Sequence, residues 1–262
     1  MIWFDSSAKD FDIQTLPLDK HFRKAEVASM RSSWTDPNAL VLGIQAGNNS
    51  KSSHRHLDLG SFILEAQGER WIKDIGTEHE TYMSHRHKYG RYDFYRCRAE
   101  GHNTLVLNPG PKADQAVDAK CPVVAFDSTP ALARATIDLT SAYKTQARKV
   151  ERVFSMVDRS SVTIQDTIEP ISPADLWWFA HTDARVEIGP DARTATLRQH
   201  NKQLRVELLE PAQARFQSMP AKPLPTSPHP TIGADDSQQS KLAIHLPGAE
   251  QTRLTVRFVP GK

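Results

Sequence analysis

Short apolar runs, most of them alternating with polar residues, recur along the whole chain. In 135–139, Ala135, Ile137 and Leu139 fall at every second position. That is the period of a strand with one buried and one wet face. Related patterns predict strands over 39–44, 61–65, 70–72, 104–107, 123–126, 150–156, 162–168, 176–180, 184–188, 194–198, 204–209, 214–217, 242–246 and 254–258. Gln67-Gly68 reads as a hairpin turn between the second and third of these. The chain shows no amphipathic stripe longer than about 10 residues, and the only helical feature expected is a turn near 18–26. So many short strands without interleaved helices predict an all-β fold, a large antiparallel β-sandwich of two or more stacked sheets. Residues 219–239, MPAKPLPTSPHPTIGADDSQQ, interrupt the pattern and are expected to form a long, exposed Pro/Ser-rich loop before the last two strands. Two strands are too few for a separate domain, so residues 1–262 are expected to fold as one.

Composition narrows the function classes. The 262 residues carry 33 Lys and Arg against 31 Asp and Glu, a formal charge of +2. The basic residues are dispersed, which argues against a nucleic-acid partner. No apolar run reaches the roughly 20 residues that cross a bilayer, so no membrane partner is expected. The two cysteines, Cys97 and Cys121, cannot make a disulfide scaffold and are expected as free core thiols. The start, MIWFDSSAKDF, lacks the basic and apolar regions of a signal peptide. A cytoplasmic location follows if Met1 is the true start, and a periplasmic or secreted one if it is not.

The chemistry is concentrated in the histidines. Of eleven, six (His54, His56, His79, His85, His87 and His102) fall within 54–102. In His54-Arg55-His56-Leu57-Asp58, side chains at i and i+2 of an extended segment share a face, with Arg55 on the other face as a solvated charge. Asp74 ends the 70–72 strand, and His102 precedes the 104–107 strand. Two imidazoles and a carboxylate make a donor set for zinc. For any one of these histidines, hydrogen bonding at the surface is the ordinary role. Asp58 reads either as a hydrogen-bond acceptor behind the ligands or as a turn residue. Asn103 orients a sugar or caps a turn.

Several separated segments match one family in order. ASMRSSW (28–34), HRHLDLGSFILEAQGERWIKDIG (54–76) and YRCRAEGHNTLVLNPG (95–110) together resemble the C-terminal β-domain of the heparinase II/III-like polysaccharide lyases, with support from DTIEP (166–170) and WWFAHTDARV (177–186). The resemblance implies that His56, Asp74 and His102 bind a structural zinc ion. It implies that His54 faces the substrate and assists with the uronate carboxylate or with proton transfer. Tyr89 or Tyr92 lies where some alginate-type members carry a further active-site tyrosine. A zinc ion held by two neutral His and one Asp keeps a charge of about +1, which favours the neutral, basic form of the neighbouring His54.

Lyases of this type cleave beside a uronic acid by β-elimination, so the implied partner is an acidic, uronate-containing polysaccharide or oligosaccharide. The family also carries an α/α-toroid domain that supplies another catalytic His and Tyr. Nothing in residues 1–53 resembles it. The chain is therefore expected to need a helical toroid domain, in cis or as a separate chain, and to be incomplete or inactive alone.

Two rivals come from other classes. A cupin-like metal dioxygenase also uses an HxH pair, but Gly60 and Ser61 occupy the positions where a ligating Glu is expected. A non-catalytic carbohydrate-binding or scaffolding sandwich would use exposed aromatics, of which Trp177 or Trp178 is the candidate, or a basic surface built from Arg152, Arg159, Arg185 and Arg198.

Overall fold

The computed structural model describes residues 12–50 and 54–261. In chain order its strands are β1 (Lys20–Phe22), β2 (Val27–Arg31), β3 (Val41–Gln45), β4 (Gly47–Asn48), β5 (Phe62–Ala66), β6 (Glu69–Ile72) and β7 (Leu105–Leu107). There follow β8 (Lys120–Cys121), β9 (Val123–Ser128), β10 (Leu132–Asp138), β11 (Ala147–Val157), β12 (Ser161–Pro170) and β13 (Ala174–Thr182). The last are β14 (Arg185–Ile188), β15 (Thr194–Gln199), β16 (Lys202–Glu210), β17 (Phe216–Pro220), β18 (Ser240–Ala249) and β19 (Thr252–Pro260). Helical structure among the described residues is confined to single 3₁₀ turns, five of which crowd between β6 and β7.

The strands form antiparallel sheets in the orders β1-β2-β3-β5-β6, β14-β15-β16-β19-β12-β11-β10-β9 and β17-β18-β13-β7, with a small β4-β8 pair. Among the described residues no sheet closes on itself into a barrel. Alternation explains the stacking. β12 switches between half-buried and buried at every position. Its inward residues join those of the other two large sheets in one apolar core. Phe62, on β5, sits at the junction, with ring centres 6.0 Å from Phe154 on β11, 5.8 Å from Phe258 on β19 and 6.3 Å from Trp178 on β13. Burying a ring of this size contributes about 1.5–3 kcal/mol.

The expected hairpin is present between β5 and β6, and Gln67 and Gly68 both take the left-handed backbone that such a tight turn requires. Both cysteines are buried and free. The expected helical turn near 18–26 is instead β1 and the tight turn into β2. The alternation in β2 is carried by the small Ala28 together with Met30, which makes it a weak signal in sequence.

Of the loop expected over 219–239, Met219 and Pro220 instead end β17, and residues 221–239 carry neither helix nor strand but are not an exposed excursion. Ala221, Leu224, Ser227 and Asp236 are buried. The buried Glu100 carboxylate accepts hydrogen bonds from the Leu224 N–H and the Ser227 hydroxyl, both at 3.1 Å. Arg96 grips Asp236 with two hydrogen bonds. This segment is tied down over the 3₁₀ turns that lead to His102.

Candidate active site

His54, His56, Asp74 and His102 come together beside the five-stranded sheet, against residues of β2, β3 and β5. Ile72 ends β6, and Asp74 follows two residues on. Residues 54–61 lead irregularly into β5, and His102 stands just before β7. Gly60 makes the entry to β5 possible. Its φ is +83°, and a Cβ there would lie 2.8 Å from the Leu139 side chain. Gly101 lets the last 3₁₀ turn pack against the chain, since a Cβ would lie 2.2 Å from the Tyr95 carbonyl oxygen.

These segments frame an open cleft of about 400 Å³ lined by His54, Arg55, His56, Asp58, Asp74 and His102, among others. His56 and His102 are both buried, with ring centres 5.2 Å apart. His102 Nδ1 donates to Asp74 Oδ2 at 2.6 Å, and Asp74 Oδ1 accepts from the Gly76 N–H at 2.8 Å. Asp74 is surrounded by protein yet opens to the cleft, its side chain remaining 37% accessible.

The electrostatics follow from this packing. Burial works against a charge on His102, but the Asp74 carboxylate outweighs it and raises the imidazole's pKa, with the Arg96 backbone carbonyl adding to the shift. Burial also works against the Asp74 charge, and His102 together with the Gly76 N–H overcomes it, holding the carboxyl below its usual range. His56 is pushed down to about 4, first by burial and then by His102 and Arg91, so it is neutral at neutral pH. Burial raises the Asp58 carboxyl. Two polar atoms at this cleft, His102 Nε2 and Asp58 Oδ1, are sealed from solvent without a well-formed hydrogen bond. Among the described residues no group of three or more His, Cys, Asp or Glu side chains, as they stand, is placed to hold a metal ion.

His54 stands exposed at the mouth, its ring centre 5.4 Å from that of Tyr82. Arg91 fixes this corner. Its guanidinium donates to the His54 carbonyl at 2.9 Å and the Arg55 carbonyl at 3.0 Å, and lies 5.2 Å from the centre of the Tyr82 ring. Arg55 was expected on the opposite face from the two histidines. Residues 54–56 are not a strand, so the two-residue alternation does not apply, and Arg55 lines the same cleft.

The family model described as heparinase II/III-like, C-terminal, matches residues 15–256. The chain belongs to this family. The fold is similar to that of heparan sulfate lyase HepC from Pedobacter heparinus, with a TM-score of 0.72 at 16% identity over 93% of this chain and 36% of that one. A heparinase III structure gives a TM-score of 0.72 at 15% identity, covering 95% of this chain and 37% of that one. A further heparinase III structure gives 0.68 at 15% identity, covering 92% and 36%. The chain thus spans little more than a third of the length of these solved relatives, and the likeness is one of fold. Comparison with curated proteins gives no significant match.

In this heparinase II/III-like domain the histidine-rich window divides. His54, His56 and His102 line the cleft. His79 lies 3.6 Å from the Glu80 carboxylate, His85 is exposed, and His87 Nε2 is 2.9 Å from the Glu80 carbonyl oxygen. The expected tyrosines separate too. The Tyr89 hydroxyl lies 3.2 Å from the Thr231 hydroxyl, against the 221–239 segment, and Tyr92 is half-buried with the apolar cluster around Phe179. Tyr82, which drew no attention in the sequence because it sits in an irregular stretch, is the tyrosine packed beside His54. The sequence signal available was its position in HETYMSH, between the segments that carry Asp74 and His102.

The basic-surface idea does not survive for Arg152. It is fully buried, paired with Asp166 through two hydrogen bonds of 2.7 and 2.9 Å, and it also donates to the carbonyls of Gly60 and Asn103. Arg159 is likewise engaged, with Asp19. Trp178 is buried in the core, while Trp177 faces outward, as adjacent strand residues must. The Trp177 ring stacks on His245 at 3.9 Å and on Phe179 at 5.6 Å, so its contacts are packing contacts.

Proposed function

We propose that this chain is the β-sandwich part of a polysaccharide lyase that acts on uronate-containing acidic glycans by β-elimination. The observation that carries the reading is the convergence of His54, His56, Asp74 and His102 on one cleft, in the fold of this family. In β-elimination a base removes the proton at C5 of the uronate. The C4–O bond then breaks, a double bond forms between C4 and C5, and an acid protonates the departing oxygen. The C5 proton becomes acidic once the neighbouring carboxylate is neutralised or hydrogen-bonded.

His54, exposed at the mouth beside Tyr82, is suited either to bind that carboxylate or to move a proton. Tyr82 presents a hydroxyl and an aromatic face at the same corner, with Tyr89 and Tyr92 as the alternatives nearer the 221–239 segment. Arg91 holds the His54 backbone and so sets where its ring stands.

His56, Asp74 and His102 suit a structural zinc ion in chemistry: two imidazoles and one carboxylate, with unpartnered buried atoms at the same cleft. His56, neutral to about pH 4, keeps a lone pair available. The ion when bound would supply positive charge behind the cleft and fix the three segments that frame it.

The cleft is open to solvent. A helical toroid domain, in cis or as a separate chain, is the partner that would complete the groove and supply the remaining acid or base. The test is ultraviolet absorbance of the unsaturated product from uronate polymers. The chain alone is expected to give little or none, and the chain joined to its helical domain to give a sustained rise. Full activity of the chain alone would overturn the two-part reading.

A further inference from the structure

Behind the cleft runs a line of buried polar side chains that the proposed chemistry does not use. Lys241 on β18 is fully buried, its ammonium 3.1 Å from the Tyr95 hydroxyl and 2.8 Å from the Lys222 carbonyl. The Tyr95 hydroxyl is 2.7 Å from His181 Nε2, and His181 Nδ1 is 3.1 Å from Asn103 Oδ1. His181 and Lys241 are direct cross-strand partners.

The direction of each bond can be deduced. Asn103 Nδ2 donates to the carbonyls of Phe62 at 2.7 Å and Lys73 at 2.9 Å, so Oδ1 is the acceptor facing His181. The proton of neutral His181 is therefore on Nδ1. Its Nε2 then accepts from the Tyr95 hydroxyl, and the Tyr95 oxygen accepts from Lys241. The line is ordered from an ammonium at one end to two backbone carbonyls at the other.

Its end point matters. Asn103 is bonded in the chain to His102, and Lys73 to Asp74. The Lys73 N–H also donates to the His181 carbonyl at 3.0 Å. Asn103 thus ties together the two strand ends that carry the His102–Asp74 pair. We infer that the Lys241–Tyr95–His181–Asn103 line is a positioning device that sets His102 against Asp74, with Tyr95 and Lys241 acting as positioning residues at a distance from the cleft. Burying four polar side chains in series is costly unless every partner is in place, which makes such a line ordered. Supports of this kind typically change metal affinity by 10–100-fold when cut. The part of the inference that concerns zinc rests on the proposed metal set.

The test uses the full chain and the Tyr95→Phe variant, which keeps the ring and removes one hydroxyl. Imidazole nitrogen signals of metal-free protein report tautomer and hydrogen bonding at each histidine, and a zinc titration reports affinity. The expected result is a shifted His181 Nε2 signal as its donor is lost, with the tautomer kept by Asn103, together with a shifted His102 Nδ1 signal and at least tenfold weaker zinc binding. A His181 change with His102 and zinc affinity untouched would overturn the inference. If the wild-type chain binds no zinc, the metal reading fails and the His102 signal alone decides the positioning role. Lys241→Met, which removes the ammonium at the far end, provides the second variant should Tyr95→Phe not fold; it is expected to shift the same His102 signal, and no shift there would overturn the inference.

Discussion

His102 and Asp74, 28 residues apart in the chain, meet through a single 2.6 Å hydrogen bond from Nδ1 to Oδ2. Each shifts the other toward its charged form against the cost of burial. Zinc, when bound, would be held by His56, Asp74 and His102 and would supply positive charge behind the cleft. Asp74→Asn and His102→Ala should each abolish tight zinc binding in a calorimetric titration. Saturating the wild-type chain at about 100 times its Kd should raise its stability by about 2.7 kcal/mol, and a chelator should reverse the gain. Zinc binding unchanged in either variant would remove these residues from the ligand set.

Much of the sandwich was legible because alternation reports burial directly. β12 and β11 read as strands from their two-residue period, and the β5–β6 hairpin from Gln67-Gly68. β2 was missed because one of its two inward residues is the small Ala28. The site was legible only in part. That His54, His56, Asp74 and His102 belong together was suggested by their places beside strands and by the family resemblance, while no distance between them could be read. Tyr82, Arg91 and the line behind Asn103 were not visible, because 3₁₀ turns have no strong period and the contacts are set by packing between distant segments.

Arg152 shows what pattern alone conceals. It falls on the buried phase of β11, directly opposite Asp166 in register on β12. Two opposite charges on inward positions of neighbouring strands are a recognisable signal once the pairing is known. Arg152→Met should destabilise the fold by about 3–5 kcal/mol, because Asp166 is left buried without its partner. Arg152→Met combined with Asp166→Leu should recover much of that loss. Chemical denaturation of the three chains measures it, and a single variant as stable as wild type would refute the pairing as a stability element.

Lys241 gives a pH signature. Burial pushes it down to about 8 from an ordinary 10.5, opposed by Glu100 and Asp114. Between those values the unfolded chain binds the proton that the folded chain has lost, so this residue makes stability rise with pH across the window. Below about 8 both states hold the proton, and the folded state carries the cost of the buried charge. The Tm of Lys241→Met relative to wild type should therefore fall between about pH 8 and 10.5, whatever its sign below that range. A difference that stays flat across that range would contradict the shift.

The three tyrosines can be ranked. With the helical domain supplied, Tyr82→Phe should lower the rate of product formation by about 10²–10⁴-fold if its hydroxyl takes part in proton transfer. Tyr89→Phe and Tyr92→Phe should have smaller effects, as their rings pack against the 221–239 segment and the Phe179 cluster. A larger loss at Tyr89 or Tyr92 would move the active-site tyrosine to that position.

The most direct test of the account is the rate at which unsaturated uronate product accumulates when the chain is joined to a helical toroid domain, compared between wild type and His54→Ala. Loss of a group that transfers a proton or neutralises the carboxylate should reduce the rate by about 10²–10⁴-fold with zinc binding retained. An equal rate in the two proteins would contradict the assignment of His54 to the reacting sugar, and with it the reading of this cleft as part of a lyase active site.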